Sequence, residues 1–220
     1  MPRGLVTGVA LTGGIAAGIV TRLESDGWDV VTSDLSGSHL DCDLSEPDAP
    51  GELVARALRE HGPLDALVLS HSHDVETGIL DTTAESFDRH VAVNARAALL
   101  MIAAFARQVV DGGAVVALTS DATTGNLPYG ASKGALDRIV ISAARELGPL
   151  GISANVLNPG PIDTGWMDDD VRAGLLPHHP LGRLGEPRDV ADVVAFLVSP
   201  AGRWISGQLL HADGGFSSRF

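Results

Sequence analysis

The stretch Tyr129-Gly130-Ala131-Ser132-Lys133 sets a phenol and an ammonium four residues apart at the head of an apolar, helix-periodic run. On a helix the two side chains share one face. A phenol in water has a pKa of about 10, so it exchanges protons poorly at neutral pH unless a nearby positive charge stabilises its phenolate. Lys133 is spaced to be that charge. The same spacing also suits a solvated surface pair, so the elements that would position it must decide.

Those elements begin with a short buried strand, Gly4 to Val6, followed by Thr7-Gly8-Val9-Ala10-Leu11-Thr12-Gly13-Gly14-Ile15-Ala16-Ala17-Gly18 and a helix to about Ser25. A strand, a glycine turn and a helix start bring free N–H groups and the positive dipole end against a pyrophosphate. An ordinary tight turn has the same outline. A second strand, Trp28 to Ser33, ends in Asp34, about 20 residues beyond the turn, where a carboxylate can accept from both adenosine ribose hydroxyls and repel a 2′-phosphate. No Lys or Arg lies between Thr7 and Thr21 or between Thr32 and Pro50, which favours NAD(H) over NADP(H). Otherwise Asp34 only begins a turn or caps a helix.

Asp43, after Leu40, can receive the adenine amino group, and a helix follows from about Gly51 to His61. Leu64 to Leu69 and Ala114 to Leu118 are apolar runs of buried-strand type. Their alternation with helical segments implies βαβ units: one α/β domain over 1–220, a doubly wound parallel sheet of about seven strands with helices on both faces. His71, His73 and Asp74 invite a metal, but no supporting cysteine or HExxH-like helix accompanies them, and they read as a loop near the cofactor. Thr82-Thr83-Ala84-Glu85 has capping-box form and opens a helix to about Val109 that contains Asn94, either exposed or in a water-linked contact.

With these pieces in order, the chain resembles the short-chain dehydrogenase/reductase family over nearly its whole length, in pattern most like 3-oxoacyl-(acyl-carrier-protein) reductases. The resemblance rests on Thr7-Gly8 with Gly14, on Asp34, Asp43, Asn94 and Ser120, on Tyr129 with Lys133, and on Asn158-Pro159-Gly160-Pro161-Ile162-Asp163-Thr164. It continues through Leu181 to Ala191, Ser206-Gly207-Gln208 and Asp213-Gly214-Gly215. It implies a Rossmann-type fold and interconversion of a secondary alcohol and a ketone. Ser120 would bond the substrate oxygen, Tyr129 would exchange its proton, Lys133 would lower the Tyr129 pKa and bind the nicotinamide ribose, and Asn94 would hold a water. The implied cofactor contacts are Thr7, Gly8, Gly14, Ile15, Asp34, Asp43, Leu44, Ser70, Tyr129, Lys133, Pro159, Gly160, Ile162 and Thr164. Trp166 and Met167 would cover substrate, with Asp168-Asp169-Asp170 as a solvated helix start. Homotetramers or homodimers, formed through the helices carrying Asn94 and Tyr129 and through a last strand at Gln208 to His211, are a further implication.

Four departures leave a catalytically weak or inactive binding or assembly subunit as the alternative. The glycine turn is two residues longer than the usual pattern, and Ala16 replaces its last glycine, adding a methyl where helix and strand pack. The family's Asn-Asn-Ala-Gly reads Leu69-Ser70-His71-Ser72, which removes a side chain that ties neighbouring strands. The Ser120–Tyr129 separation is about four residues short of the family pattern, so Thr119 or Thr123 could stand in for Ser120. The lid between Thr164 and Leu181 is brief.

Composition limits the partners. Of 220 residues 45% are hydrophobic, and 28 acidic against 15 basic residues give a net charge of −13, which disfavours nucleic acid or an anionic membrane surface. The start Met1-Pro2-Arg3 shows no signal-peptide profile, and the sequence reads as having no 18-residue apolar span. The single Cys42, flanked by Asp41 and Asp43, fits an inert thiol in a reducing cytoplasm.

Overall fold

The computed structural model describes residues 1–122, 125–165 and 167–218. The expectations placed on Thr123 and Trp166 lie outside the described residues. Seven parallel strands form one sheet: β1 (Arg3–Thr7), β2 (Asp29–Asp34), β3 (Leu40–Asp41), β4 (Ala66–Leu69), β5 (Gly113–Leu118), β6 (Ile152–Asn158) and β7 (Leu209–His211), in spatial order β3-β2-β1-β4-β5-β6-β7. The chain winds outward from β1 to β3, then returns to the other side of β1 with β4. The β1/β4 boundary is therefore the switch point at which such sheets leave a crevice beyond the strand ends.

Period-two alternation divides the strand side chains between two cores. Leu5, Leu67, Leu69, Val115 and Ala117 face one cluster with α2 (Ala49–His61), α4 (Ala97–Gln108) and α5 (Leu127–Leu147). Val6, Ala66, Val68, Ala114, Val116 and Leu118 face the other, with α1 (Ile15–Ser25) and α7 (Pro187–Val198). Because both faces are covered, the strands read as continuous apolar runs rather than as alternation. A Cβ added at Gly18 would stand 2.9 Å from Pro187 Cβ, so this glycine lets α1 and α7 pack closely. Ala16 is simply buried in the same core, and its methyl is accommodated there.

The helix opened by Thr83 begins as α3 (Ala84–Val91), with Thr83 Oγ1 accepting from Ser86 N at 3.1 Å. A π turn at Ala92–Arg96 interrupts it before α4, and Ala97 N–H there reaches back to Ala92 O. Against the expectation of no 18-residue apolar span, the run Ala84–Gln108 is long and apolar enough by length and composition to cross a membrane. Here Ala97, Ala98, Met101, Ile102 and Phe105 bury it against the sheet. Between β6 and α7 lie α6 (Asp169–Leu175), capped by Asp168 Oδ1 accepting from Val171 N, and an ion pair from Arg172 to Asp163 at 2.8 Å. Asp168-Asp169-Asp170 is thus a helix start.

Candidate functional site

Beyond the strand ends lies one cavity of about 690 Å³. Its wall runs from Asp34, Leu35, Asp43 and Leu44, past Gly8, Gly14 and Ile15, to Ser120 and Tyr129. Ser70, Pro159, Gly160, Ile162 and Thr164 also line it. Three of the sequence-derived residues stand behind the wall instead: Thr7, Asn94 and Lys133 are 0%, 1% and 2% exposed.

The longer glycine turn is tied down at both ends. Gly8 N donates to Ser33 O at 2.9 Å, and Gly14 N donates to Leu11 O at 2.9 Å. Between them Ala10 N donates to Asp34 Oδ2 at 2.8 Å, while Leu35 N donates to Asp34 Oδ1 at 2.7 Å. Asp34 therefore fixes the inserted residues as well as lining the cavity. Each carboxylate oxygen retains a second lone pair for a ligand hydroxyl.

The start of α1 has neither a side-chain cap nor an acidic residue in its first turn, leaving N–H groups and the positive dipole end open to an anion. Gly8 has φ +82°, and a Cβ there would meet His71 N at 2.7 Å. A turn that approaches the cavity at Gly8 and Gly14, a capless helix start and carboxylates at the far end fit a dinucleotide.

At the opposite end, Ser120 Oγ accepts from Ala122 N at 3.1 Å, and the Ser120 side chain stands near enough to the Tyr129 hydroxyl to act on its pKa. The shortened loop thus still delivers Ser120 to the phenol. Tyr129 is pushed up to about 12 by burial and by the neighbouring Asp74 charge, and the nearby Ser120 hydroxyl offsets part of that rise. Lys133 does not bring the phenol down here. Its Nζ donates to Leu118 O at 2.9 Å and sits 5.6 Å from the Tyr129 ring centroid. Burial in turn pushes Lys133 down to about 8, against the opposing pull of Asp137 and Asp74.

Asn94 is not exposed. Its Nδ2 donates to His73 O and to Ser132 Oγ, both at 2.9 Å, and its Oδ1 accepts from His73 N at 2.7 Å. The amide spends both N–H groups on the loop after β4 and on the helix that carries Tyr129 and Lys133.

The departure at Ser70-His71 is corrected outright: the tie between strands survives, made by a different side chain. His71 Nδ1 lies 2.7 Å from Thr7 Oγ1 and His71 Nε2 lies 3.1 Å from Val93 O. A carbonyl only accepts, so Nε2 carries the proton and Nδ1 receives the Thr7 hydroxyl. Sequence reading treated His71 as a loss because it compared residue types. The signal that could have found the tie is a ring nitrogen donor and acceptor beside the Thr7 hydroxyl. Asp74, which raises Tyr129, and Ser132, which anchors Asn94, were likewise missed.

Burial, with the Lys133 charge close by, pushes His71 down to about 3, against an ordinary histidine near 6.5. Between those values the unfolded chain binds the extra proton, so stability falls as the pH drops from about 6.5 toward 3. Between pH 7 and 5 this one group costs at most about 2 kcal/mol. Urea midpoints at the two pH values should drop more for wild type than for His71→Asn. Equal drops would contradict the buried neutral ring.

Residues 8–217 match the family model described as enoyl-(acyl carrier protein) reductase. An oxidoreductase of Bacillus subtilis is 33% identical, with 96% of this chain and 95% of that protein covered. Among solved structures, a blue fluorescent protein from a metagenomic library in complex with NADPH has TM-score 0.90 and 32% identity, covering 98% of each chain. The angucycline C-6 ketoreductase LanV with bound NADP has TM-score 0.89 and 30% identity, over 99% of this chain and 96% of that one.

Proposed function

Because the chain belongs to the short-chain dehydrogenase/reductase family, NAD(P)-dependent oxidoreductases acting on CH–OH groups, we propose that it interconverts a small secondary alcohol and its ketone with NAD(H). One observation carries the proposal: Ser120 and Tyr129 share the end of a single cavity whose other end is Asp34, Asp43 and Leu44. When bound, the nicotinamide dinucleotide supplies or accepts the hydride.

In reduction, the Tyr129 hydroxyl gives its proton to the substrate oxygen, while Ser120 holds that oxygen by a hydrogen bond. In oxidation the phenol takes the proton back. Lys133, fixed on Leu118 O behind the wall, supplies positive charge 5.6 Å from the Tyr129 ring centroid. Asn94 holds the His73 backbone and Ser132, and so keeps the wall and α5 in register. Thr7, Gly8, Gly14 and Ile15 shape the pyrophosphate cradle, Asp43 and Leu44 the adenine end, and Ser70, Pro159, Gly160, Ile162 and Thr164 the nicotinamide wall.

The NAD preference rests on Asp34, since the solved neighbours above carry NADPH or NADP. Among the described residues, Arg89 is the one Lys or Arg lining the cavity, and its charge acts on Asp43. A 2′-phosphate would meet the Asp34 carboxylate. Asp34→Asn keeps an acceptor for Ala10 N but removes the charge, and should shift the NADH/NADPH affinity ratio toward NADPH by about tenfold. An unchanged ratio would remove the basis of the preference. A small substrate, a homo-oligomer and, on the single Cys42, a cytoplasmic location complete the proposal.

A further inference from the structure

We propose that His71 is a positioning residue for the dinucleotide, clamping the turn after β1 to the π turn so that the cradle and its side wall stay in register. The inference rests on the nucleotide-site reading above and adds a residue to it. β1 and β4 lie side by side at the switch point, but their chains diverge there in opposite directions, and nothing covalent joins the two strand ends. Thr7 Oγ1 accepts from Ser70 N at 3.2 Å and has one proton of its own to donate. His71 Nδ1 at 2.7 Å is closer than Val68 O at 3.4 Å, so the ring takes it.

The other ring nitrogen donates to Val93 O within Ala92–Arg96, the π turn of which Val93 lines the cavity. Gly8, His71 and Val93 all line the cavity. The Gly8 turn also lies against the Ser70–His71 backbone too closely for any Cβ. One imidazole therefore joins three segments that meet the ligand: the turn, the loop after β4 and the π turn. Without it, these segments would have to be ordered when the dinucleotide binds, which weakens binding rather than proton transfer.

The test uses variants that each restore part of the ring. Asparagine sets an acceptor near the Nδ1 position, glutamine sets a donor near the Nε2 position, and alanine offers neither. Titrating each protein with NADH should give a Kd at least tenfold weaker for His71→Ala, with His71→Asn and His71→Gln between it and wild type. The loss in kcat at saturating NADH should be smaller than the loss in Kd. Binding by His71→Ala within twofold of wild type would overturn the proposal while leaving the nucleotide site standing. If wild type bound neither NADH nor NADPH, the nucleotide-site reading would fall, and this inference with it. Should the alanine variant not fold, wild-type nitrogen NMR decides: an Nε2–H ring supports the clamp and an Nδ1–H ring overturns it.

Discussion

Tyr129→Phe should lower turnover at least about a thousandfold while leaving the Kd for NADH within about threefold of wild type. The variant removes one oxygen from a partly buried ring carried on α5 and leaves the rest of the cavity lining untouched. What disappears is the group that gives or takes the proton at the substrate oxygen. General acid–base catalysis contributes about 10² to 10⁴ in rate, and Ser120, left bonding the oxygen alone, cannot replace a proton transfer. Steady-state rates with a ketone panel, paired with nucleotide titration, measure the two effects separately. Turnover within tenfold of wild type would remove Tyr129 from the mechanism. Tyr129 is the chain's single tyrosine, so the variant's loss of phenolate absorbance verifies that the intended group is gone.

Lys133→Met should cost about a hundredfold in kcat/KM and also change the shape of the pH profile. Lys133 is 2% exposed, held on Leu118 O, and burial brings it down to about 8. Below that pH it carries its charge, and above it the charge is lost from a region where Tyr129 is held near 12. Wild-type activity should therefore fall as pH rises through about 8, and the methionine variant, with nothing to titrate there, should lack that limb. A variant retaining the same limb would assign the titration to another group. Lys133 is also the chain's only lysine, so loss of amine reactivity, apart from the amino terminus, reports the substitution directly.

Much of the sheet was legible because buried parallel strands read as unbroken apolar runs. Leu64 to Leu69 and Ala114 to Leu118 were placed from composition alone, and β4 and β5 lie within a residue or two of those bounds. Asp34 and Tyr129 with Lys133 were legible for a different reason: their spacing from a glycine turn and along a helix is local, and local geometry follows from periodicity. The departures were harder. A sequence can show that an asparagine is missing at Ser70-His71, but not that an imidazole reaches both Thr7 and Val93, because those partners lie 64 and 22 residues away. The Tyr129 environment was hidden for the same reason. Lys133 is its neighbour in sequence, yet burial and Asp74, distant in sequence, set the phenol's pKa. Asn94 was read as exposed or water-linked because the groups it holds, on His73 and Ser132, lie 21 and 38 residues away.

The central claim is a nicotinamide dinucleotide site whose Asp34 end selects the unphosphorylated cofactor and whose other end holds Ser120 and Tyr129. Parallel titration of the wild-type protein with NADH and NADPH, followed by nicotinamide fluorescence, tests it most directly. The account predicts saturable binding of NADH at least about tenfold tighter than NADPH. NADPH binding equal to or tighter than NADH would contradict the role given to Asp34, and binding of neither would contradict the site itself.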